Sequence, residues 1–211
     1  MLVEAITGLV AGNPGGYALT AASTMDKSWE IEVLDALQNI HTPWLDKLMV
    51  AITSLGNAGI LWIVLAAVLL IIPRTRKVGI CMAIALILDL LMTNCLLKNL
   101  VARTRPYDMA NFTDLIVKKP TDYSFPSGHT AASFAAVTAL FMSREKMLGA
   151  ISCVIAILIA FSRMYLYVHF PTDIIGGIVV GVAAGVAAGL ILKAIDKKLA
   201  ARAAGTDIEK Q

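Results

Sequence analysis

Charge is scarce in this chain. Asp, Glu, Lys and Arg make up 16% of its 211 residues, against about 25% in an ordinary soluble domain. The rest is not the polar, low-hydrophobicity material of a disordered chain. Three cysteines are too few for a disulfide scaffold. A net charge of +3, with no basic stripe interleaved with aromatics, excludes nucleic acid as an expected partner. What is abundant is apolar: 58% of the residues, 15 glycines among the remainder, and a mean hydropathy of +0.75. That excess is too large for a water-soluble core with a normal surface. It predicts an all-α fold, a polytopic transmembrane helix bundle.

A spanning helix needs about 20 mostly apolar residues to cross about 30 Å of hydrocarbon. Five stretches meet or approach this: residues 48–73, 78–97, 123–143, 147–162 and 174–192. In the last, Gly177, Gly181, Gly185 and Gly189 recur every four residues and line one helix face, a ladder for close helix packing. Residues 29–48 hold Glu30, Glu32, Asp35, His41 and Asp46 and are too polar to span. Trp29, Ile31, Val33, Leu34, Leu37 and Ile40 give that segment an apolar side, so an amphipathic interfacial helix is expected there. Residues 1–25 carry Glu4 and no basic leader, a poor signal peptide, and their structure is left open. The expected organisation is an N-terminal segment 1–47, a transmembrane domain 48–193 and a charged tail 194–211. Cys81, Cys95 and Cys153 all fall inside spans and read as small apolar fillers.

Basic residues orient the bundle. Arg74, Arg76, Lys77, Arg144, Lys146, Lys193, Lys197, Lys198 and Arg202 share one side, which is placed in the cytoplasm. The opposite side carries the long 99–122 loop with mixed charges.

That opposite side also collects the polar residues that a membrane chain should avoid. Charged groups in or at the ends of spans are costly and mark function by default. Lys98 and Arg105 follow the second span. Ser127, Gly128 and His129 open the third, Arg163 closes the fourth, and His169 and Asp173 open the fifth. Lys98 and Arg105 are seven apart, two turns on one face if the helix continues, before Pro106 stops it. Three cations outnumbering the local acid Asp173 call for a multiply charged anion, and phosphate or pyrophosphate fits. Phe125-Pro126-Ser127-Gly128-His129 reads as a turn into a helix N-terminus, where free amides and the dipole favour an anion. Gly128 permits close backbone approach and Ser127 offers a hydroxyl. Pro171 suits a first helical position, which puts Asp173 in the first turn. There it can accept a hydrogen bond from one ring nitrogen of His169 and expose the other as a nucleophile. Any one of these features alone is commonly a snorkelling cation, a turn or a structural hydrogen bond; their joint placement carries the reading.

Lys98 to Pro106 (Lys, six residues, Arg-Pro), Pro126-Ser127-Gly128-His129, and Ser162-Arg163 followed by His169 and Asp173 resemble the three motifs of the type-2 phosphatidic acid phosphatase superfamily. These are membrane lipid phosphatases related in their active site to vanadium haloperoxidases. The resemblance spans about residues 48–193. It implies that His169 attacks phosphorus to form phosphohistidine, that Asp173 orients it, and that His129 protonates the leaving group and then activates water. Lys98, Arg105, Ser127, Gly128 and Arg163 would hold the phosphoryl oxygens. No metal or other cofactor is implied. The implied substrates are phosphatidate-, phosphatidylglycerophosphate- or undecaprenyl-pyrophosphate-like lipids, met at the extracytoplasmic face of a bacterial plasma membrane. Some relatives acting on undecaprenyl pyrophosphate carry Asp where this chain has Gly128, which tilts the reading toward a general lipid phosphatase.

Two alternatives stand beside it: transfer of the same phosphoryl group to a lipid or sugar acceptor, and a non-enzymatic anion carrier or channel. The carrier explains the cations but not the His169–Asp173 pairing. Asp89 sits mid-span and is expected to be protonated or bonded to a polar group on a neighbouring helix. His41 is expected at headgroup level rather than in catalysis. The sequence leaves homo-oligomerisation open.

Overall fold

The computed structural model describes residues 28–208, so residues 1–25 lie outside the described residues. All regular elements among the described residues are helical. They are α1 (Trp29–Gln38), α2 (Pro43–Leu55), a single turn at Asn57–Gly59, α3 (Ile60–Ile71) and α4 (Arg76–Asp89). A π-helical stretch, Leu90–Leu97, leads into α5 (Lys98–Val101), followed by α6 (Pro106–Met109), α7 (Gly128–Met142), α8 (Lys146–Tyr165) and α9 (Pro171–Ile208). Proline sits in the first turn of α2 and of α6, where its missing N–H costs nothing. Pro171 opens α9, as its place in the sequence predicts.

Among the described residues, three helical runs are long and apolar enough to cross a bilayer: Arg76–Met109, Lys146–Tyr165 and Pro171–Arg202. The α2–α3 pair, bent by 43° at its break, makes a fourth if counted as one span. By length and composition, three or four of the five expected spans are matched among the described residues. The shortfall is α7, which has 15 residues, about 22 Å of helix at about 1.5 Å per residue. Residues 123–127, counted in the 123–143 apolar stretch but ending in the expected turn at Phe125-Pro126-Ser127, form an irregular approach that carries Ser124 and Ser127 into the interior.

The packing is that of a bundle solvated by lipid. Ile63, Val68, Ile87, Leu91, Val154, Ile157 and Val179 are all exposed. Inside, α7 is the central rod: Ala131, Ala135, Ala136, Ala139 and Leu140 are fully buried against α4, α8 and α9. The glycine ladder does what its spacing predicts. A Cβ at Gly177 would meet the Ser127 carbonyl at 2.8 Å, one at Gly181 would strike the Ala131 carbonyl, and one at Gly189 would meet Met142 at 2.7 Å. Helices in lipid gain little from burial of apolar surface, so close van der Waals approach is what joins α7 to α9. Trp62 of α3 spans to α7, its indole N–H donating to Ser133 Oγ at 2.9 Å. Cys81 is buried and Cys153 half-buried in this interior, while Cys95 is exposed; all three are free thiols.

At one end of the bundle sits a polar cap. Residues 29–48, expected as one interfacial helix, fold instead as α1 and the start of α2, so the expected boundary at 47/48 falls inside α2. Only part of α1's apolar side faces outward: Trp29 and Val33 are exposed, but Ile31 and Leu34 are buried against the Tyr165–Phe170 segment. That segment turns sharply at Tyr167, whose φ of 60° is unusual for a residue with a side chain. The strain, about 1–3 kcal/mol, is offset by two contacts. The Tyr167 hydroxyl donates to Asp35 at 2.7 Å, and its ring stacks on Phe112 at 4.3 Å. The loop from α6 to α7 is tied down by the Tyr107 hydroxyl on the Pro120 carbonyl at 2.6 Å and by a Lys119–Asp108 ion pair.

Candidate active site

One cavity of about 1020 Å³ opens beneath this cap. Six of the eight residues singled out from the sequence line it: Lys98, Arg105, Gly128, His129, Arg163 and His169. Ser127 and Asp173 stand behind that wall, both fully buried. Away from the charged end, the cavity continues as an apolar trough along Ile63, Ala66 and Leu70 of α3 and Ala83 and Leu86 of α4.

The route by which Lys98 and Arg105 meet differs from the expected continuous helix. The helix ends at Val101, and Ala102 takes a left-handed conformation with φ of 47°. Arg105 is extended, and Pro106 begins α6 instead of stopping a helix. The two cations converge all the same, because both bind Asp122. Lys98 pairs with one carboxylate oxygen, and Arg105 Nη2 donates to the other at 2.6 Å. Arg105 Nε also donates to the Asp122 carbonyl at 2.8 Å. Burial alone would raise the Asp122 carboxyl, but the Lys98 ammonium and the Arg105 guanidinium bring it down to about 2. Asp122 is a second acid at the site that the count of cations against Asp173 left out, and it holds the place of an anion between two of them.

His169 is buried between a guanidinium and a carboxylate. Arg105 Nη1 lies 3.3 Å from Nε2, and Asp173 Oδ2 lies 3.4 Å from Nδ1. A guanidinium offers only donors, so Nε2 is the lone-pair nitrogen and the ring proton belongs on Nδ1, facing Asp173. In place of the expected hydrogen bond, Asp173 makes a 3.4 Å contact here, without hydrogen-bond alignment at Nδ1. The reason is that Oδ2 already accepts from Ser124 Oγ at 2.5 Å and from the Phe170 amide at 2.9 Å. Burial pushes the imidazole down to about 3; Asp173 pulls the other way, and the charges of Arg105 and Arg163 add to the depression. The ring is therefore neutral at physiological pH.

His129 occupies the first turn of α7, and its Nε2 is 3.1 Å from the Asn57 amide oxygen. Facing an acceptor, that nitrogen carries the proton. Asn57 comes from the break between α2 and α3, where Ala58 and Gly59 have φ of 49° and 67°. A Cβ at the adjoining Gly56 would lie 2.7 Å from the His129 ring. The bend that splits the expected 48–73 span is thus what brings an amide to the imidazole. Arg163 Nη1 donates to Thr53 Oγ1 at 2.7 Å, whereas its Nε is buried with no partner among the described residues. Ser127 caps no amide with its side chain. Its Oγ accepts from Thr130 at 3.0 Å, and its own amide donates to the Asp173 carbonyl at 3.1 Å. The first amides of α7 have no intrahelical acceptor. At Gly128 an added Cβ would stand 3.8 Å from Lys98 Nζ, so packing tolerates it but it would take space beside the cation.

Asp89, expected to be protonated or bonded to a neighbouring helix, accepts instead from Thr93 Oγ1 four residues on at 2.8 Å, and it faces the trough. His41 stacks on Tyr165 at 3.9 Å and pairs with Asp46 at 2.9 Å, away from the cavity lining. Sequence reasoning missed Asn57, Asp122, Ser124, Glu30 and Arg103. Of these, only Arg103 lies inside a quoted motif. Among the described residues no group of three or more His, Cys, Asp or Glu is placed to hold a metal ion.

Comparison with known proteins gives concordant matches. The family profile described as the PAP2 superfamily matches residues 74–196. An undecaprenyl-diphosphatase of Sulfolobus acidocaldarius is 33% identical over 149 residues, 71% of this chain and 71% of that protein. Phosphatidylglycerophosphatase B of Bacillus subtilis is 36% identical over 150 residues, 65% of this chain and 70% of the relative. The fold superposes on the crystal structure of the first transmembrane PAP2 type phosphatidylglycerolphosphate phosphatase from Bacillus subtilis with a TM-score of 0.63. That match has 30% identity and covers 86% of this chain and 92% of the other. Aquifex aeolicus LpxE aligns with a TM-score of 0.67 at 27% identity, over 78% of this chain and 97% of its own.

Proposed function

This chain belongs to the PAP2 superfamily and is an integral membrane hydrolase of phosphoric esters, and from that premise we propose that it removes phosphate from lipid phosphates or diphosphates through a phosphohistidine intermediate, without a metal. The observation that carries this is the cavity itself. Its charged, two-histidine end runs into an apolar trough between α3 and α4, which suits one molecule with a phosphorylated head and a hydrocarbon tail. Phosphatidate-, phosphatidylglycerophosphate- and undecaprenyl-pyrophosphate-like lipids all have that form, and the names of the relatives fall in the same range.

In the first step the His169 Nε2 lone pair forms a bond to phosphorus as the ester or anhydride P–O bond breaks. The leaving oxygen takes the pair of electrons and a proton from His129. Asp173 keeps the Nδ1 proton of His169 in place and stabilises the positive ring. Lys98, Arg105, the Nε of Arg163 and the Gly128 amide hold the phosphoryl oxygens, with the buried Ser127 hydroxyl behind them and Asp122 displaced from its cations by substrate. In the second step His129 takes a proton from water, the oxygen attacks phosphorus, and the N–P bond breaks to return His169 and release phosphate. Fixed donors set around the phosphoryl oxygens supply the charge stabilisation this needs. The site faces the extracytoplasmic side, since the basic ends of α4 and α9, joined by the Lys77–Asp196 ion pair, lie at the other end of the bundle.

The test is phosphate release from a panel of lipid phosphates and diphosphates in detergent, with His169→Ala as control and vanadate as inhibitor. Release by the wild type, abolished by the substitution and by vanadate, is the expected result. Anion flux in vesicles without release from any lipid would favour a carrier, and phosphoryl transfer to an added alcohol at the expense of water would favour a transferase.

A further inference from the structure

Arg103 lies two residues before Arg105, but it does not line the cavity and takes no part in the phosphate cradle proposed above. Its guanidinium is instead the hub of a second polar network. Nη1 donates to Asp173 Oδ1 at 2.7 Å and to the Thr172 hydroxyl at 2.6 Å. Nη2 donates to Glu30 Oε2 at 2.5 Å, and the plane lies over the Phe170 ring, 4.0 Å from its centroid. Glu30 Oε1 accepts from the Thr172 amide at 3.2 Å and from its hydroxyl at 2.5 Å. The ring of contacts thus closes from α1, through the loop before α6, onto the first turn of α9.

Both oxygens of Asp173 are now accounted for. Ser124, the Phe170 amide and the His169 ring meet one; Arg103 meets the other. A lone guanidinium on a carboxylate would drain the negative charge that must stabilise a positive imidazole. Glu30 answers that charge from the far side, so Arg103 fixes the geometry of Asp173 while the carboxylate keeps its influence on His169.

We propose that Arg103 and Glu30 act as a positioning pair: Glu30 aims and neutralises Arg103, and Arg103 fixes Asp173 against His169. Glu30 lies outside the matched residues 74–196, which makes α1 part of the working site. The inference rests on His169 being the nucleophile.

The experiment measures kcat and KM of the full-length protein in detergent on the best-cleaved member of a panel. The panel comprises dioctanoyl phosphatidate, dioctanoyl phosphatidylglycerophosphate and farnesyl diphosphate. The variants are Arg103→Gln, Arg103→Lys, Glu30→Gln, the double Glu30→Gln/Arg103→Gln, and His169→Ala. Arg103→Gln is expected to lower kcat about a hundredfold with KM within about threefold, since misplacement by an ångström costs about that much. Arg103→Lys recovers about tenfold of the loss, because it restores the charge but not the fork. Glu30→Gln alone lowers kcat about tenfold and adds nothing to Arg103→Gln, the signature of residues acting in series. Full kcat in Arg103→Gln or Glu30→Gln, a rise in KM with kcat intact, or additive losses in the double variant would each overturn the pair. If Arg103→Gln fails to fold, Glu30→Gln and Arg103→Lys decide the matter by the same kcat criterion. His169→Ala at wild-type rate, or no release from any panel member, overturns the proposed function and this inference with it. An inactive His169→Ala beside a fully active Arg103→Gln overturns this inference alone.

Discussion

The α7–α9 seam and the polar cap above it hold the same two helices in place by opposite means. Along the seam, position is set by what is missing: glycines at 177, 181, 185 and 189 remove side chains so that backbones touch. In the cap, position is set by surplus: Arg103, Arg105, Asp173 and Glu30 share hydrogen bonds and ion pairs that restrict their rotamers. The seam fixes where α7 and α9 begin relative to each other, and hence where His129 and Asp173 sit. The cap fixes which way the groups point. A membrane enzyme can place a charged site at the end of a bundle because no charge is needed within its seam.

The widest break in this comparison is chemical. His169→Ala removes the nucleophile and leaves the seam untouched. Phosphate release is expected to fall at least about a thousandfold, with the thermal unfolding midpoint in detergent changed little.

The glycines separate the two regions next. At Gly181 a Cβ strikes backbone of α7, so Gly181→Ala is expected to cost about 1–3 kcal/mol of stability, seen as a lower thermal midpoint. At Gly128 the nearest atom to a Cβ is 3.5 Å away, so Gly128→Ala should keep the midpoint. It should still lose about ten- to a hundredfold in kcat/KM through crowding of the anion's place. A stability loss at Gly128 equal to that at Gly181 would erase the distinction.

pH sharpens it further. The His169 imidazole is held at about 3, chiefly by burial, against about 6.5 for an exposed ring. Between those values the unfolded chain binds a proton that the folded chain does not, so folded stability falls as pH drops through that window. His169→Asn should flatten this slope in thermal unfolding measured from about pH 7 down to about pH 4. Because His169 stays neutral, the rate should not fall on an acid limb near pH 6.5 from its titration.

The smallest effect is expected at Asp122. Its carboxylate, half-exposed and held at about 2 by Lys98 and Arg105 against the effect of burial, competes with substrate for those cations. Asp122→Asn should lower KM about two- to fivefold, the scale of a partly exposed ion pair, with kcat retained. A raised KM would mean that Asp122 shapes the cradle instead of occupying it.

What could be read in advance divides along the same line. Apolar runs, the glycine period and Pro171 are local patterns, and each predicts its helix or seam. The positions of Lys98, Arg105, His129, Arg163 and His169 at span ends were enough to bring them to one cavity. Three things were not legible. A 43° bend at Gly56–Gly59 looks, in sequence, like a tolerable interruption of an apolar run. The turn before α7 could be read, but not the burial of Ser124, whose partner Asp173 is distant in sequence. The cap partners Glu30, Asn57 and Asp122 belong to segments with no motif and acquire meaning only from tertiary contacts at separations such as that of Glu30 from Thr172.

The central claim is that one phosphoryl group is gripped in the cap and passes through His169. Quenched-flow turnover of a lipid carrying labelled terminal phosphate tests it most directly. Label bound to the protein at residue 169, stable in alkali and labile in acid, forming faster than phosphate is released and missing from His169→Ala, is the predicted result. Phosphate release at full rate with no protein-bound label at any time, or label that persists in His169→Ala, would contradict it.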